Sequence, residues 1–301
     1  MPDHLSADDL RALLDSWLLR MAAERKAAKT RAVYKMGVEQ YLRWCHDQGV
    51  KPALDADTVA AFTNHLLDLG RAPATARLRQ LAVRRFSAWL ADEDEIEHDL
   101  LVKVKPPKLD TPVVDELDDD QLRALIGACA GKTLGCKRDE AIIRFMCETG
   151  ARAGEVISMT VHDVDLSRGL AVIRRGKGGK GRHVPFGPAT GAAIDRYIRA
   201  RRKHVKAGGA TLWLGQRGYG FTYAALWRSL GIRAKAAGLG HVHPHVLRHT
   251  FAGRWLDAGG TEQGLMVTAG WSRREMIDRY SRATSERRAA DESRRLGLGD
   301  L

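Results

Sequence analysis

The sequence predicts a mainly α-helical protein with one small β-sheet, built from two folded parts. Apolar residues recur at helical spacing through most of the chain. Only Leu170–Arg174 and His183–Pro185 read as strands, and they flank the glycine-rich turn Gly176–Gly181. Residues 103–116 hold Pro106, Pro107 and Pro112 without periodicity, as a linker does. The expected division is a helical part over 1–104, a linker over 105–116, a mixed part over 117–285 and a tail over 286–301.

In the first part Ser6 is placed to cap a helix, with Asp9 in its first turn. Leu10, Leu13, Leu14, Trp17, Leu18 and Met21 then follow at helical period. A second helix begins near Thr30, carries Tyr34, Val38, Tyr41, Leu42 and Cys45 on one side, and ends at Gly49. A third runs from Asp57 to Leu69 and stops at Gly70. A fourth follows Pro73, with Leu78, Leu81, Ala82, Phe86, Trp89 and Leu90 expected inward. Arg71, Arg77, Arg79, Arg84 and Arg85 occupy its other faces, where they either meet solvent or contact phosphate.

The second part opens on Asp118 and Gln121, spaced as a capping box. Lys137–Glu148 reads as an amphipathic helix closed by Gly150, and Ala151–Met159 as another helix start. After the two strands, helices are expected near 188–206, 222–237, 246–258 and 262–269.

Charge narrows the function classes. Residues 1–110 hold 17 Lys/Arg and 17 Asp/Glu, so the whole formal excess of +12 lies beyond them. Residues 167–254 contain 18 basic residues against a single acid, Asp195. So one-signed a stretch points to a polyanionic partner, and nucleic acid is the foremost. No apolar run approaches the roughly 18 residues of a membrane span. The N-terminus lacks the pattern of a secretory signal, so a cytoplasmic location without membrane partners is expected. Cys45, Cys129, Cys136 and Cys147 form no CxxC pair and no zinc spacing, and are expected as free, mostly buried thiols.

Several segments carry groups suited to phosphodiester chemistry. Arg152 follows a helix end and has Glu155 three residues on; it is either one half of a local ion pair or a fork for phosphate oxygens. Lys177 and Lys180 lie in the glycine-rich turn, which joins two strands and lacks the GxxxxGK[ST] nucleotide-binding pattern. His245 and Arg248 are three apart, on one face of a helix. The alternation His241, His243, His245 raises a metal site, but Pro244 interrupts the run and no acid lies nearby to complete the ligands. Trp271 can donate a hydrogen bond and cannot accept a proton. Tyr280, in Asp278-Arg279-Tyr280, becomes a nucleophile only where cations gather a phosphate beside it.

The order Arg152, Lys177, His245-Val-Leu-Arg248, Trp271, Tyr280 resembles that of the tyrosine recombinase (phage integrase) family. So do the words Thr149-Gly-Ala-Arg152, Gly176-Lys-Gly178 and Pro244-His-Val-Leu-Arg-His-Thr250. The resemblance covers about 106–285 as an α+β catalytic domain, and the first part looks like the family's four-helix, SAM-like core-DNA-binding domain. Trp271 stands where most members carry His, and the segment before Tyr280 lacks the usual Ser/Thr-rich run. The resemblance is to the simple members, so no arm-type DNA-binding domain is expected before Ser6.

The resemblance implies that Tyr280 attacks a scissile phosphate and leaves a 3′-phosphotyrosine. Arg152 and Arg248 would neutralise the phosphate, His245 would take the tyrosine proton, Lys177 would protonate the departing 5′-oxygen, and Trp271 would give one more hydrogen bond. Glu155 and His249 would support the site. Arg77, Arg84, Lys180 and Arg182 are expected on DNA. Neither cofactor nor metal is implied. The implied partners are double-stranded DNA sites, a homotetramer formed on them and an accessory directionality factor. The integrase role is preferred, with a Xer-like dimer resolvase, a topoisomerase-like enzyme and a non-catalytic DNA-binding protein as alternatives. A metal-dependent nuclease is opposed by the lack of clustered carboxylates in the basic region. The tail, with Arg287, Arg288, Arg294 and Arg295, would either dock on a neighbouring protomer or fray.

Overall fold

The structure is a computed structural model that describes residues 5–109, 115–174, 181–215, 220–271, 277 and 293–296. It divides into two compact units, Met1–Pro112 and Val113–Leu301.

The first unit is four helices, α1 (Ala7–Ala23), α2 (Ala28–Asp47), α3 (Ala56–Asp68) and α4 (Pro73–Asp92). Ser6 and Asp9 cap α1 reciprocally: the Asp9 N–H donates to the Ser6 hydroxyl at 3.2 Å and the Ser6 N–H to the Asp9 carboxylate at 2.9 Å. Pro73 opens α4, where its missing N–H costs nothing. The core is aromatic. Trp17 stacks on Tyr34 at 5.6 Å, and Tyr41 meets Phe62 edge-on at 5.4 Å. Gly37 lets α2 and α4 touch, because a Cβ there would lie 2.4 Å from that of Ala82. The inward stripe of α4 runs through Ala76, Val83, Phe86 and Leu90. Leu78 lies off that stripe and is 38% exposed, so its expected inward position is corrected.

The second unit contains α5 (Asp119–Gly127), α6 (Leu134–Thr149), α7 (Ala153–Ile157), a three-stranded antiparallel sheet, and α8 (Pro188–Arg201), α9 (Tyr223–Ala236), α10 (Pro244–Asp257) and α11 (Glu262–Ala269). The sheet is β1 (Val164–Asp165), β2 (Leu170–Ile173) and β3 (Arg182–Pro185) in that order. Leu170 pairs with Pro185 and Ile173 with Arg182. β1 is two residues long, too short to leave a period in the sequence. α6 buries residues around most of its girth, among them Ile142, Ile143, Phe145 and Met146, as a central helix must. α8 ends at Arg201, earlier than the expected 206. The buried Arg201 guanidinium donates to the carbonyls of Ala207, Gly209, Thr211 and Leu212, which holds the following residues in turns. A separate small core joins α10 to α11 through Phe251, Leu256, Leu265, Trp271 and Ile277. Among the described residues no helix is long and apolar enough to cross a membrane.

Candidate active site

The site is assembled by arginines that meet at the end of one short helix. α6 closes at Gly150, whose φ of +61° is the left-handed conformation glycine adopts freely. A Cβ there would also lie 2.3 Å from the Phe251 ring, so no other residue fits. The chain then turns and presents Arg152 as the N-cap of α7. The Arg152 backbone N–H donates to Glu155 at 2.8 Å, and its guanidinium donates to Glu155 at 2.9 Å and to the Gly270 carbonyl at 2.8 Å.

Glu155 is the counter-charge of this corner. It is 5% exposed and also takes both terminal nitrogens of Arg182, at 3.0 and 2.8 Å. Burial alone would raise its pKa. The hydrogen bonds and charge of Arg182, with those of Arg152, outweigh burial and hold the carboxyl below its usual range. The Arg182 Nε continues to the Thr268 carbonyl at 2.8 Å.

Arg248 approaches from α10. Its guanidinium, also 5% exposed, donates to the carbonyl of Gly150 and, at 2.7 Å, to that of Ala269. Its central carbon stands 5.2 Å from the Trp271 ring centroid, in cation–π geometry. Thr268, Ala269 and Gly270 thus offer three successive carbonyls at the C-terminal end of α11, each taken by a different arginine. That end carries the helix's partial negative charge, so it holds cations in place without phosphate. Gly270 (φ +64°) makes the turn, and a Cβ there would crowd the Arg182 guanidinium at 3.0 Å.

His245 lies one helical turn before Arg248. Desolvation, and then the charge of Arg248, lower its pKa below the ordinary histidine value. Its imidazole is therefore neutral at neutral pH and able to accept a proton. The backbone N–H of His245 is held by Nδ1 of His243, the N-cap of α10, at 3.2 Å. A row of rings follows: Trp227 to His243 at 6.0 Å, His243 to His245 at 6.0 Å, His245 to His249 at 6.3 Å.

The structure therefore brings Arg152, His245, Arg248 and Trp271 into one neighbourhood. Lys177, Lys180 and Tyr280 lie outside the described residues. Arg182, expected on DNA, donates to Glu155 and to the Thr268 carbonyl, with its side chain 11% exposed. Arg84 braces α4, donating to the carbonyls of Leu101 at 3.2 Å and Val102 at 3.4 Å, while Arg77 is exposed on the same helix. Sequence reading missed the supporting role of Arg182 because its partner lies 27 residues away on another element.

Comparison with known proteins identifies the family. The model of the phage integrase family matches residues 115–287. Tyrosine recombinase XerD of Corynebacterium glutamicum is 31% identical over 291 residues, covering 92% of this chain and 95% of that protein. Tyrosine recombinase XerC of Roseiflexus castenholzii is 30% identical, covering 82% and 81% respectively. In fold, the chain resembles the Tn1549 transposon integrase, solved in complex with transposon right-end DNA, with a TM-score of 0.73, 20% identity, and coverage of 95% and 99%. Arginines converging beside a histidine, within a match that spans more than half the chain, place this protein in the phage integrase family of tyrosine recombinases, site-specific enzymes that break and rejoin DNA.

Proposed function

We propose that the chain recombines double-stranded DNA at short specific sites, with Tyr280 as nucleophile. The Tyr280 hydroxyl oxygen attacks the scissile phosphorus, the bond to the 5′-oxygen breaks, and a 3′-phosphotyrosine is left. His245, neutral at working pH, takes the phenolic proton. Lys177 gives a proton to the departing 5′-oxygen. Arg152 and Arg248 stabilise the charge that builds on the phosphate oxygens, and Trp271 lines the same side. A 5′-hydroxyl from the partner duplex then attacks the phosphotyrosine and releases Tyr280, so bond energy is conserved without a nucleotide.

The observation that carries this reading is the seating of Arg152 and Arg248 on adjacent carbonyls of α11, since a dianionic transition state requires cations at fixed spacing. The exposed face of α4, with Arg77 and Arg85, is assigned to backbone phosphates. Four strands must be cut for exchange, hence a tetramer on two sites, and an accessory factor would set direction.

Integration is the preferred role. Dimer resolution is the second reading, favoured by the nearly end-to-end match to XerD. Both predict that wild type incubated with native flanking DNA in EDTA and quenched with SDS yields protein-linked fragments at one short site. Tyr280→Phe yields none. Adducts persisting in Tyr280→Phe would overturn the nucleophile, and relaxed plasmid without rearrangement would show a topoisomerase. A plasmid carrying two copies of the trapped site separates resolution from integration by its products.

A further inference from the structure

The N-cap of α10 is itself a titratable group. His243 is extended (φ −132°, ψ 168°), Pro244 fills the first helical position, and Nδ1 of His243 accepts the His245 N–H at 3.2 Å. A ring nitrogen that accepts a hydrogen bond carries no proton, so this cap exists only while His243 is neutral. The ring lies nearly parallel to that of Trp227 on α9, 8° between planes, with His241 at 5.6 Å. The charged and titratable groups acting on it are His245 and His241, which disfavour its protonation, and Asp115 from the segment before α5, which favours it. Burial first, then the two histidines, put its pKa below the ordinary histidine value, so the cap is closed at neutral pH.

We propose that His243 is a positioning residue for His245, and that its protonation releases the first turn of α10 and with it the proton-accepting imidazole of the active site. This rests on the role assigned to His245 above. A protonated His243 would set an N–H against the His245 N–H and place positive charge at the positive end of a helix. Acid therefore acts on His245 twice, through its own proton and through the backbone that holds it. Strand cleavage should fall more steeply on acidification than a single titrating group allows.

The test compares wild type, His243→Ala and His243→Ser from about pH 5 to about pH 8, the span in which histidine titrates. Covalent adduct formation on the native DNA and the melting temperature of the whole chain are both followed. Serine caps helices throughout this range, whereas alanine does not. His243→Ala should slow cleavage at the alkaline end by roughly five- to tenfold, the population change that one lost N-cap brings. His243→Ser should recover most of that loss and show a shallower acid limb than wild type. The melting temperature of wild type should drop more on acidification than that of His243→Ser. Acid limbs and melting profiles that superimpose for wild type and His243→Ser would overturn the proposal, even if His243→Ala fails to fold. Absence of adducts in wild type would instead defeat the recombinase roles, while the melting profiles still decide the cap.

Discussion

The two units of this chain solve the same packing problem with opposite materials. Among the described residues of Met1–Pro112 the buried polar ones are Thr63, Gln80 and Ser87, all uncharged, and the interior is held by aromatic contacts around Trp17, Tyr41 and Phe62. In Val113–Leu301 the buried residues include Arg138, Asp139, Glu155, Asp163, Arg201 and Arg248. Buried charge is costly to desolvate and holds only where its partners are fixed. Each of these has such partners: Arg201 on four loop carbonyls, Arg138 and Arg233 on Asp139, Glu155 between two arginines. The first unit can be treated as volume to be filled. The second is a set of charges whose positions matter more than their volume, which is what catalysis on a phosphate demands.

The largest expected effect comes from removing a counter-charge in the second unit. Glu155→Ala leaves Arg152 and Arg182 without their shared acceptor. It should cost about 3–5 kcal/mol of unfolding free energy, the usual result of breaking a buried pair. It should also cut adduct formation, because Arg152 keeps only its bond to the Gly270 carbonyl and loses those to Glu155. Denaturant titration alongside the trapping assay checks both, and wild-type cleavage in the variant would break the link between Glu155 and the site.

Phe62→Ala is its counterpart in the aromatic unit. It should cost a similar or slightly smaller amount, about 3–5 kcal/mol. Cleavage by the folded fraction should change far less than in Glu155→Ala. An equal loss of chemistry in both variants would erase the contrast between the units.

The smallest effect is acid sensitivity. Glu155 and Asp163 both have carboxyls held below their ordinary values. Burial opposes this in each case and is outweighed, by Arg182 and Arg152 for Glu155, and by Thr160 and Arg174 for Asp163. A carboxylate of lowered pKa contributes stability that is complete above its ordinary value and is lost as pH falls through the folded one. The second unit should therefore lose stability as pH drops below about 4.5, while the neutral interior of the first responds less. Calorimetry across that range that shows equal sensitivity of both transitions would remove the charge argument.

Much of this architecture is legible in the sequence because helices announce themselves. The pairing of Ser6 with Asp9 and the run Leu10, Leu14, Trp17, Met21 state both the start of α1 and its buried face. The residues of the candidate site were found as a spaced series, and their order survives in one dimension. Of their supports only the near one, Glu155 three residues from Arg152, was found there; the distant ones were not. Nothing local connects Arg182 to Glu155, or Arg248 to Gly150, since those contacts exist only once β3, α7 and α10 have packed. The His243 cap was hidden for another reason. Histidine beside two other histidines reads first as ligand chemistry, and its use as a helix cap shows only in the hydrogen bond to His245.

The end of α11 works as a shared reference point. Arg182, Arg248 and Arg152 each rest on one of three consecutive carbonyls, so one helix end helps set where all three guanidiniums lie. Each is held from a second side as well, Arg152 and Arg182 by Glu155 and Arg248 by Gly150, so the spacing of the three charges is braced twice over. A change of register between Thr268 and Trp271 would move all three carbonyl seats together, so a single slip there would misalign every arginine of the cluster.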